Sequence, residues 1–242
     1  MIEVLNLHKS FGEKKVLKGV NLNCIKGETT FIIGASGGGK SVLVKHFIGL
    51  IKPDQGSIKI DGHELTKMNS FELKNIRKNF GYLFQDAALF DSMTVYENVS
   101  FPLKEHTKYK ESKIKDIVRQ KLDLVGLKGI DHNYPSELSG GMRKRVGLAR
   151  AIVLEPQIIL YDEPTTGLDP IMSDAIDDLI VNTKKELNVT SIVISHDIAS
   201  TFKIADKIAM LYDGRIIETG TPAQILKSDL KPVKEFLARS RL

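Results

Sequence analysis

The reading of this chain turns on Gly34-Ala35-Ser36-Gly37-Gly38-Gly39-Lys40-Ser41. The stretch fits G-x-x-x-x-G-K-[ST], the pattern of a loop that wraps phosphate groups. Phe31-Ile32-Ile33 before it reads as a buried strand, and Val42-Leu43-Val44-Lys45-His46-Phe47-Ile48 after it reads as the first turns of a helix. This strand–loop–helix setting predicts an α/β fold and sets the loop apart from a merely flexible Gly/Ser segment. Glycines permit positive φ and let backbone N–H groups close on phosphate oxygens with no Cβ in the way. The helix start adds free N–H groups and partial positive charge. Lys40 is the expected contact to the β- and γ-phosphates, and the Ser41 hydroxyl the expected contact to Mg²⁺. Alone, the loop implies a bound nucleotide and leaves its use open.

Upstream, Ile2–Leu7, Gly19–Ile25 and Thr29–Ile33 read as strands between turn signals. Phe11 lies between the first two, either as a stacking platform for a planar ring or as a core aromatic. Downstream, Gly56–Ile60 followed by Asp61-Gly62 reads as a strand entering a tight turn, Leu73–Lys78 as helix, and Phe80–Phe84 as a strand ending at Gln85. From about Gln85 to Pro156 strand signals disappear. Ile114, Val118, Leu122 and Val125 recur at helical spacing, which predicts a helical subdomain inserted into an α/β core. Within it, Leu138-Ser139-Gly140-Gly141-Met142 precedes the helical run Arg143–Leu154. Ser-Gly-Gly at a helix start is a second anion-binding candidate, or else an N-cap serine with two loop glycines.

Gln157-Ile158-Ile159-Leu160-Tyr161-Asp162-Glu163-Pro164 returns to the sheet as a short buried strand that delivers two carboxylates to its rim. Asp162 suits an outer contact to Mg²⁺, which keeps most of its waters and takes few carboxylates. Glu163 suits orienting or deprotonating a water. Ser191–Ser195 reads as another buried strand, so His196 stands at a strand's carboxyl end, where α/β ligands bind, and is the expected γ-phosphate contact. Ile208–Tyr212, Asp213-Gly214 and Arg215–Glu218 predict a hairpin, and Val233, Phe236 and Leu237 one face of a closing helix.

Composition bounds these readings. The 242 residues are 42% hydrophobic and 27% charged, with a net charge of +5. No apolar run approaches the roughly 20 residues of a membrane span. Met1-Ile2-Glu3-Val4 lacks a basic-then-apolar signal region, which leads us to expect a cytosolic chain. Cys24 alternates with Val20 and Leu22, as a strand residue would, and as the single cysteine it cannot form an internal disulfide. The lysines are too dispersed to argue nucleic-acid binding, and no nucleic-acid partner is expected.

In this order, Phe11, the phosphate loop, Gln85, Leu138–Met142, Asp162-Glu163, Leu168-Asp169 and His196 resemble the nucleotide-binding subunit of an ATP-binding cassette (ABC) transporter over essentially the whole chain. The resemblance implies a phosphate-loop NTPase fold of the ABC ATPase type in a single domain, 1–242. Residues 1–84 and 157–242 would form a RecA-like core with an N-terminal antiparallel β subdomain, and residues 85–156 the helical subdomain. It implies an ATPase using ATP and Mg²⁺. Phe11 resembles the aromatic residue that stacks on adenine, with Val16 beside it. Gly34, Ala35, Ser36, Gly37, Gly38, Gly39, Lys40, Ser41 and Val42 would hold ATP, and Ser41, Gln85 and Asp162 the metal. Gln85 resembles the glutamine that senses Mg²⁺ and the attacking water, Glu163 the catalytic base, and His196 the switch histidine. Ser139, Gly140, Gly141 and Met142 resemble the signature that closes on ATP bound to the opposite subunit, and Asp169 the aspartate linking the two sites. The implied unit is therefore a head-to-tail dimer. Two positions depart from the pattern. Val42 stands where many relatives carry threonine, and Met142 replaces the common glutamine.

Phe84–Val99, Phe101–Thr107, Ser139–Arg145 and Leu160–Ile171 carry a narrower resemblance, to the ATPase of MCE-type lipid transporters, the Mla-like systems that move phospholipid across the bacterial envelope. This implies an integral-membrane permease, an MCE-domain substrate-binding protein and a STAS-domain subunit as partners, at the cytoplasmic face of the inner membrane. The alternative is an importer of a small solute such as an amino acid or metal, sharing every ATP residue and differing after Gln85. A ribosome- or DNA-directed cassette would carry two cassettes or a long coiled coil. A small-molecule kinase would leave Leu138–Met142 and His196 unexplained.

Overall fold

A computed structural model describes residues 1–239. The chain falls into two compact units, Met1–Arg77 with the chain from Thr190 on, and Lys78–Val189.

In the first unit, β1 (Ile2–Phe11) and β2 (Lys14–Cys24) form a long antiparallel hairpin that pairs with β4 (Gln55–Ile60) and, beyond it, β5 (His63–Glu64). Alternation buries Ile2, Val4, Leu7, Val20, Leu22, Ile58 and Ile60 on one face. Cys24 belongs to that face, and burial pushes its thiol up to about 12, which suits packing rather than reactivity. The hairpin runs further than the sequence signals suggest. β1 continues to Phe11, so Phe11 and Val16 are strand residues and the turn is only Gly12-Glu13.

β3 (Thr29–Ile33) is buried at every position and lies between parallel neighbours β8 (Thr190–Ile194) and β9 (Lys207–Tyr212). Such a strand, covered on both faces, needs the unbroken apolar run that Phe31-Ile32-Ile33 supplies. β9 turns through Asp213-Gly214 into β10 (Arg215–Gly220). Helices α1 (Lys40–Phe47), α2 (Ser70–Arg77), α7 (Ile198–Ile204), α8 (Pro222–Leu226) and α9 (Lys231–Arg239) complete the described part of this unit. α2 starts three residues before its expected first residue because the Asn69 side chain accepts from the N–H groups of Phe71 and Glu72, while Glu72 accepts from Asn69 N–H.

The second unit holds a parallel pair, β6 (Phe80–Leu83) and β7 (Ile158–Asp162), in register Leu83↔Tyr161. Between them in sequence lie α3 (Val95–His106), α4 (Glu111–Leu124) and α5 (Gly140–Ile152), and after β7 comes α6 (Pro170–Leu187). The expected helical stretch, 85–156, falls inside this unit, which also carries β6, β7 and α6. α3 opens with a capping box in which Thr94 and Glu97 exchange side-chain and backbone hydrogen bonds. α4 buries Ile114, Val118 and Leu122, the periodic residues of the sequence. Among the described residues no helix is long and apolar enough to cross a membrane.

Candidate active site

The phosphate loop leaves the carboxyl end of β3. Gly34 has φ +146°, and a Cβ there would overlap the Leu211 carbonyl oxygen, so this position passes tight against β9. Gly39, at the N-cap of α1, is left-handed with φ 102° and brings no side-chain cap, which leaves the first turn of α1 suited to an external anion. The Lys40 ammonium lies inside the loop and is 6% exposed. It donates to the carbonyls of Gly34 (2.8 Å) and Ala35 (3.2 Å). Ala35, Ser36 and Gly37 are exposed, and Gly38, Ser41 and Val42 half-buried.

β8 is the parallel neighbour of β3, in register Ile32↔Ile194, so His196 leaves the same sheet edge as the loop. His196 is exposed and its backbone is fixed on both sides. Ser195 Oγ accepts from Asp197 N–H at 2.9 Å, and Asp197 caps α7 by accepting from Ser200 N–H at 3.1 Å. On the hairpin, Phe11 is 50% exposed with the Lys9 ammonium 5.6 Å from its ring centre. At half exposure the ring is not a core aromatic. A Cβ on Gly39 would stand 3.0 Å from Val16 Cγ1, so Val16 does flank the loop.

In the second unit, Asp162 ends β7, and Gln85 follows β6 by two residues, exposed in a turn. Both therefore stand at the carboxyl edge of that parallel pair. The Tyr82 hydroxyl donates to Asp162 Oδ2 at 3.0 Å, and burial together with the Asp162 charge raises the phenol above its ordinary range. Glu163 has φ +52°, a left-handed backbone that a residue with a Cβ adopts only when its surroundings impose it. The Thr166 hydroxyl donates to Glu163 Oε2 at 3.1 Å.

Ser139 is the N-cap of α5, accepting from Met142 N–H at 3.3 Å. Gly140 and Gly141 are the first two helical residues, not loop glycines. A Cβ on Gly141 would overlap Met172 Cε, the free end of a flexible side chain that a rotamer change can move aside. Asp169 caps α6, accepting from Met172 N–H at 3.0 Å, with Pro170 in the first turn. Two α5 side chains that the sequence reading passed over matter here. Lys144, 6% exposed, donates to the carbonyls of Pro164 (2.7 Å) and Thr166 (2.7 Å). Arg150 donates to the carbonyls of Ala87 (2.6 Å) and Ala88 (2.8 Å), two left-handed alanines just after Gln85. Burial lowers the affinity of both cations for their protons.

The loop, its buried parallel strand and the helix it opens define a phosphate-loop nucleotide-binding protein. A family model described as ABC transporter matches residues 17–166. Among curated proteins, the chain is 46% identical over 241 residues to the probable ribonucleotide transport ATP-binding protein mkl of Mycobacterium leprae, covering all of this chain and 70% of that protein. It is 44% identical over 237 residues to the intermembrane phospholipid transport system ATP-binding protein MlaF of Haemophilus influenzae, covering 98% and 90%. The methionine import ATP-binding protein MetN 4 of Oceanobacillus iheyensis is 40% identical over 242 residues, covering 98% and 70%. Among solved structures, a dimeric post-hydrolysis state of the ATP-binding cassette MJ0796 bound to ADP and Pi superposes with a TM-score of 0.84 at 32% identity, covering 92% of this chain and 99% of that one. The chain belongs to the ABC transporter family, as its ATP-binding, ATP-hydrolysing cassette.

Proposed function

We propose that this cassette powers phospholipid transport across a bacterial envelope, in an Mla-like complex with a membrane permease, an MCE-domain substrate-binding protein and a STAS-domain subunit. The observation that carries the reading is the 44% identity to MlaF across 98% of this chain and 90% of that protein, a match of nearly equal lengths. The segment after Gln85 adds a surface suited to a partner. Asn98, fully buried, donates to the carbonyls of Phe90 (3.1 Å), Met93 (3.0 Å) and Thr94 (3.0 Å), which stiffens the loop before α3. That loop presents Phe90, 44% exposed, and Phe84 before it is 41% exposed. Exposed aromatic side chains on a rigid support suit the anchoring of a permease segment. On this reading the chain sits peripherally at the cytoplasmic face of the inner membrane.

For the chemistry, Lys40 and the loop N–H groups bind the β- and γ-phosphates, Phe11 and Val16 hold the adenine, and His196 contacts the γ-phosphate. The proposed Mg²⁺ ligands Ser41, Gln85 and Asp162 are all oxygen donors with a single carboxylate, the donor chemistry that Mg²⁺ takes. The metal, when bound, neutralises phosphate charge. The Tyr82 hydroxyl fixes the orientation of Asp162. Glu163 takes the proton of the attacking water. Ser139, Gly140, Gly141 and Met142 close on the nucleotide of a second copy, and Asp169 links the two sites in a head-to-tail dimer. The dimeric state of MJ0796 supports this arrangement.

A second reading, an importer of a small solute, is favoured by the 40% identity to the methionine import protein MetN 4. Affinity purification of the tagged chain from native membranes, followed by mass spectrometry, separates the two. Recovery of a permease together with an MCE-domain protein supports phospholipid transport. Recovery of an amino-acid or metal permease without one overturns it.

A further inference from the structure

Helix α5 holds a cation where packing alone would call for a hydrocarbon. Lys144 follows Gly141 by three residues and precedes Leu148 by four, so it lies on the buried stripe of the helix. Its ammonium donates to the Pro164 and Thr166 carbonyls at 2.7 Å each, and reaches the Glu163 carbonyl at 3.4 Å. Desolvating an ammonium is costly unless its donors are met, and these contacts use all three. The segment they grip is strained, with Glu163 left-handed at φ +52°. Such a backbone costs on the order of 1–3 kcal/mol and persists only where its surroundings over-determine it. Thr166, gripped by its carbonyl, is also the residue whose hydroxyl donates to Glu163 Oε2 at 3.1 Å. One buried cation thus fixes both the backbone that carries Glu163 and the group that aims its carboxylate.

We infer that Lys144 is a positioning residue for Glu163, clamping the Glu163–Thr166 carbonyls so that the carboxylate is held where it meets the attacking water. The inference rests on the role proposed above for Glu163. Because α5 begins at Ser139, the same helix that presents the Ser-Gly-Gly signature also sets the geometry of the base.

The test is steady-state and single-turnover ATP hydrolysis by Lys144→Met, which keeps the volume and removes the donors, alone and with Glu163→Gln. Misplacing a catalytic group by about 1 Å costs up to 10²-fold, so kcat should fall about 10- to 100-fold with KM within about 2-fold of wild type. Combined with Glu163→Gln, Lys144→Met should slow hydrolysis no further. Lys144→Arg, which retains donors, should recover part of the lost kcat. A wild-type kcat in Lys144→Met beside a slow Glu163→Gln overturns the inference, as does an undiminished Lys144→Met effect in the double variant. If Lys144→Met does not fold, Thr166→Val removes the hydroxyl on the carboxylate alone. A lower kcat at constant KM then supports the clamp, and a wild-type kcat overturns it. Should Glu163→Gln itself turn over at the wild-type rate, the role of Glu163 fails first and the inference falls with it.

Discussion

Replacing Gly34 by alanine asks how much of the phosphate loop's shape is set by space rather than by backbone freedom. Its φ of +146° is one that residues with a Cβ rarely adopt, at a cost of about 1–3 kcal/mol. The added Cβ would also overlap the Leu211 carbonyl oxygen and stand 3.2 Å from its carbon. That carbonyl belongs to β9, whose Met210 is paired with Ile33 of β3, so no rotamer change relieves the clash. Overpacking of this kind adds about 1–3 kcal/mol, for a total of about 2–6 kcal/mol. For a chain of this size each kcal/mol lowers Tm by about 2–4 °C, so Gly34→Ala should melt at least about 4 °C below wild type, and about 12 °C below at the middle of these ranges. Gly37→Ala in the same loop is the comparison. It is left-handed at φ +73° but has no heavy atom within 4 Å of its Cβ, so only the conformational cost of about 1–2 kcal/mol applies. Circular dichroism melts of the three proteins check the ranking. If Gly34→Ala melts with Gly37→Ala, the contact with β9 is not what requires glycine at position 34.

Two further outcomes are expected. Phe11→Ala should leave Tm nearly unchanged, because the ring is half exposed, while weakening ATP binding about 5- to 150-fold, since stacking on a base is worth about 1–3 kcal/mol; a thermal melt reads the first and calorimetric titration the second. His46, 1% exposed, donates through Nδ1 to the Val42 carbonyl at 2.7 Å, and its Nε2 has no partner among the described residues. Burial holds its pKa below the ordinary 6.5, opposed by the hydrogen bond to the Val42 carbonyl, with Lys9 adding to the lowering and Asp54 countering it. The unfolded chain therefore takes up that proton first, so stability is lost as pH falls below about 6.5. In urea melts between pH 7.5 and about 5.5, His46→Asn should show a shallower loss than wild type, and parallel losses would contradict the assignment.

What could be read from the sequence was what short-range pattern encodes. The loop motif places Lys40 at a helix start, and the apolar runs of β7 and β8 with the polar residues that follow them place Asp162, Glu163 and His196 at strand ends. Phe11 was ambiguous because a lone aromatic in a strand carries no sign of which side faces solvent. Lys144 and Arg150 were missed for a different reason. Arg143-Lys144-Arg145 are three adjacent cations, and only the docking of α5 decides which of them is buried. The helical spacing of Lys144 from Gly141 and Leu148 was the available signal. Nor do local patterns signal the left-handed backbones of Glu163, Ala87 and Ala88, which stand where Lys144 and Arg150 reach carbonyls from a distant helix.

On the function proposed above, the phosphate loop is one half of a site whose other half is the Ser139–Met142 signature of a second copy. The direct measurement is the molar mass of Glu163→Gln by light scattering, with saturating ATP and Mg²⁺, beside its hydrolysis rate. Loss of general-base help should slow turnover about 10²- to 10⁴-fold and trap the closed pair, at about twice the monomer's 26.9 kDa. A 26.9 kDa species under saturating ATP would contradict the shared site.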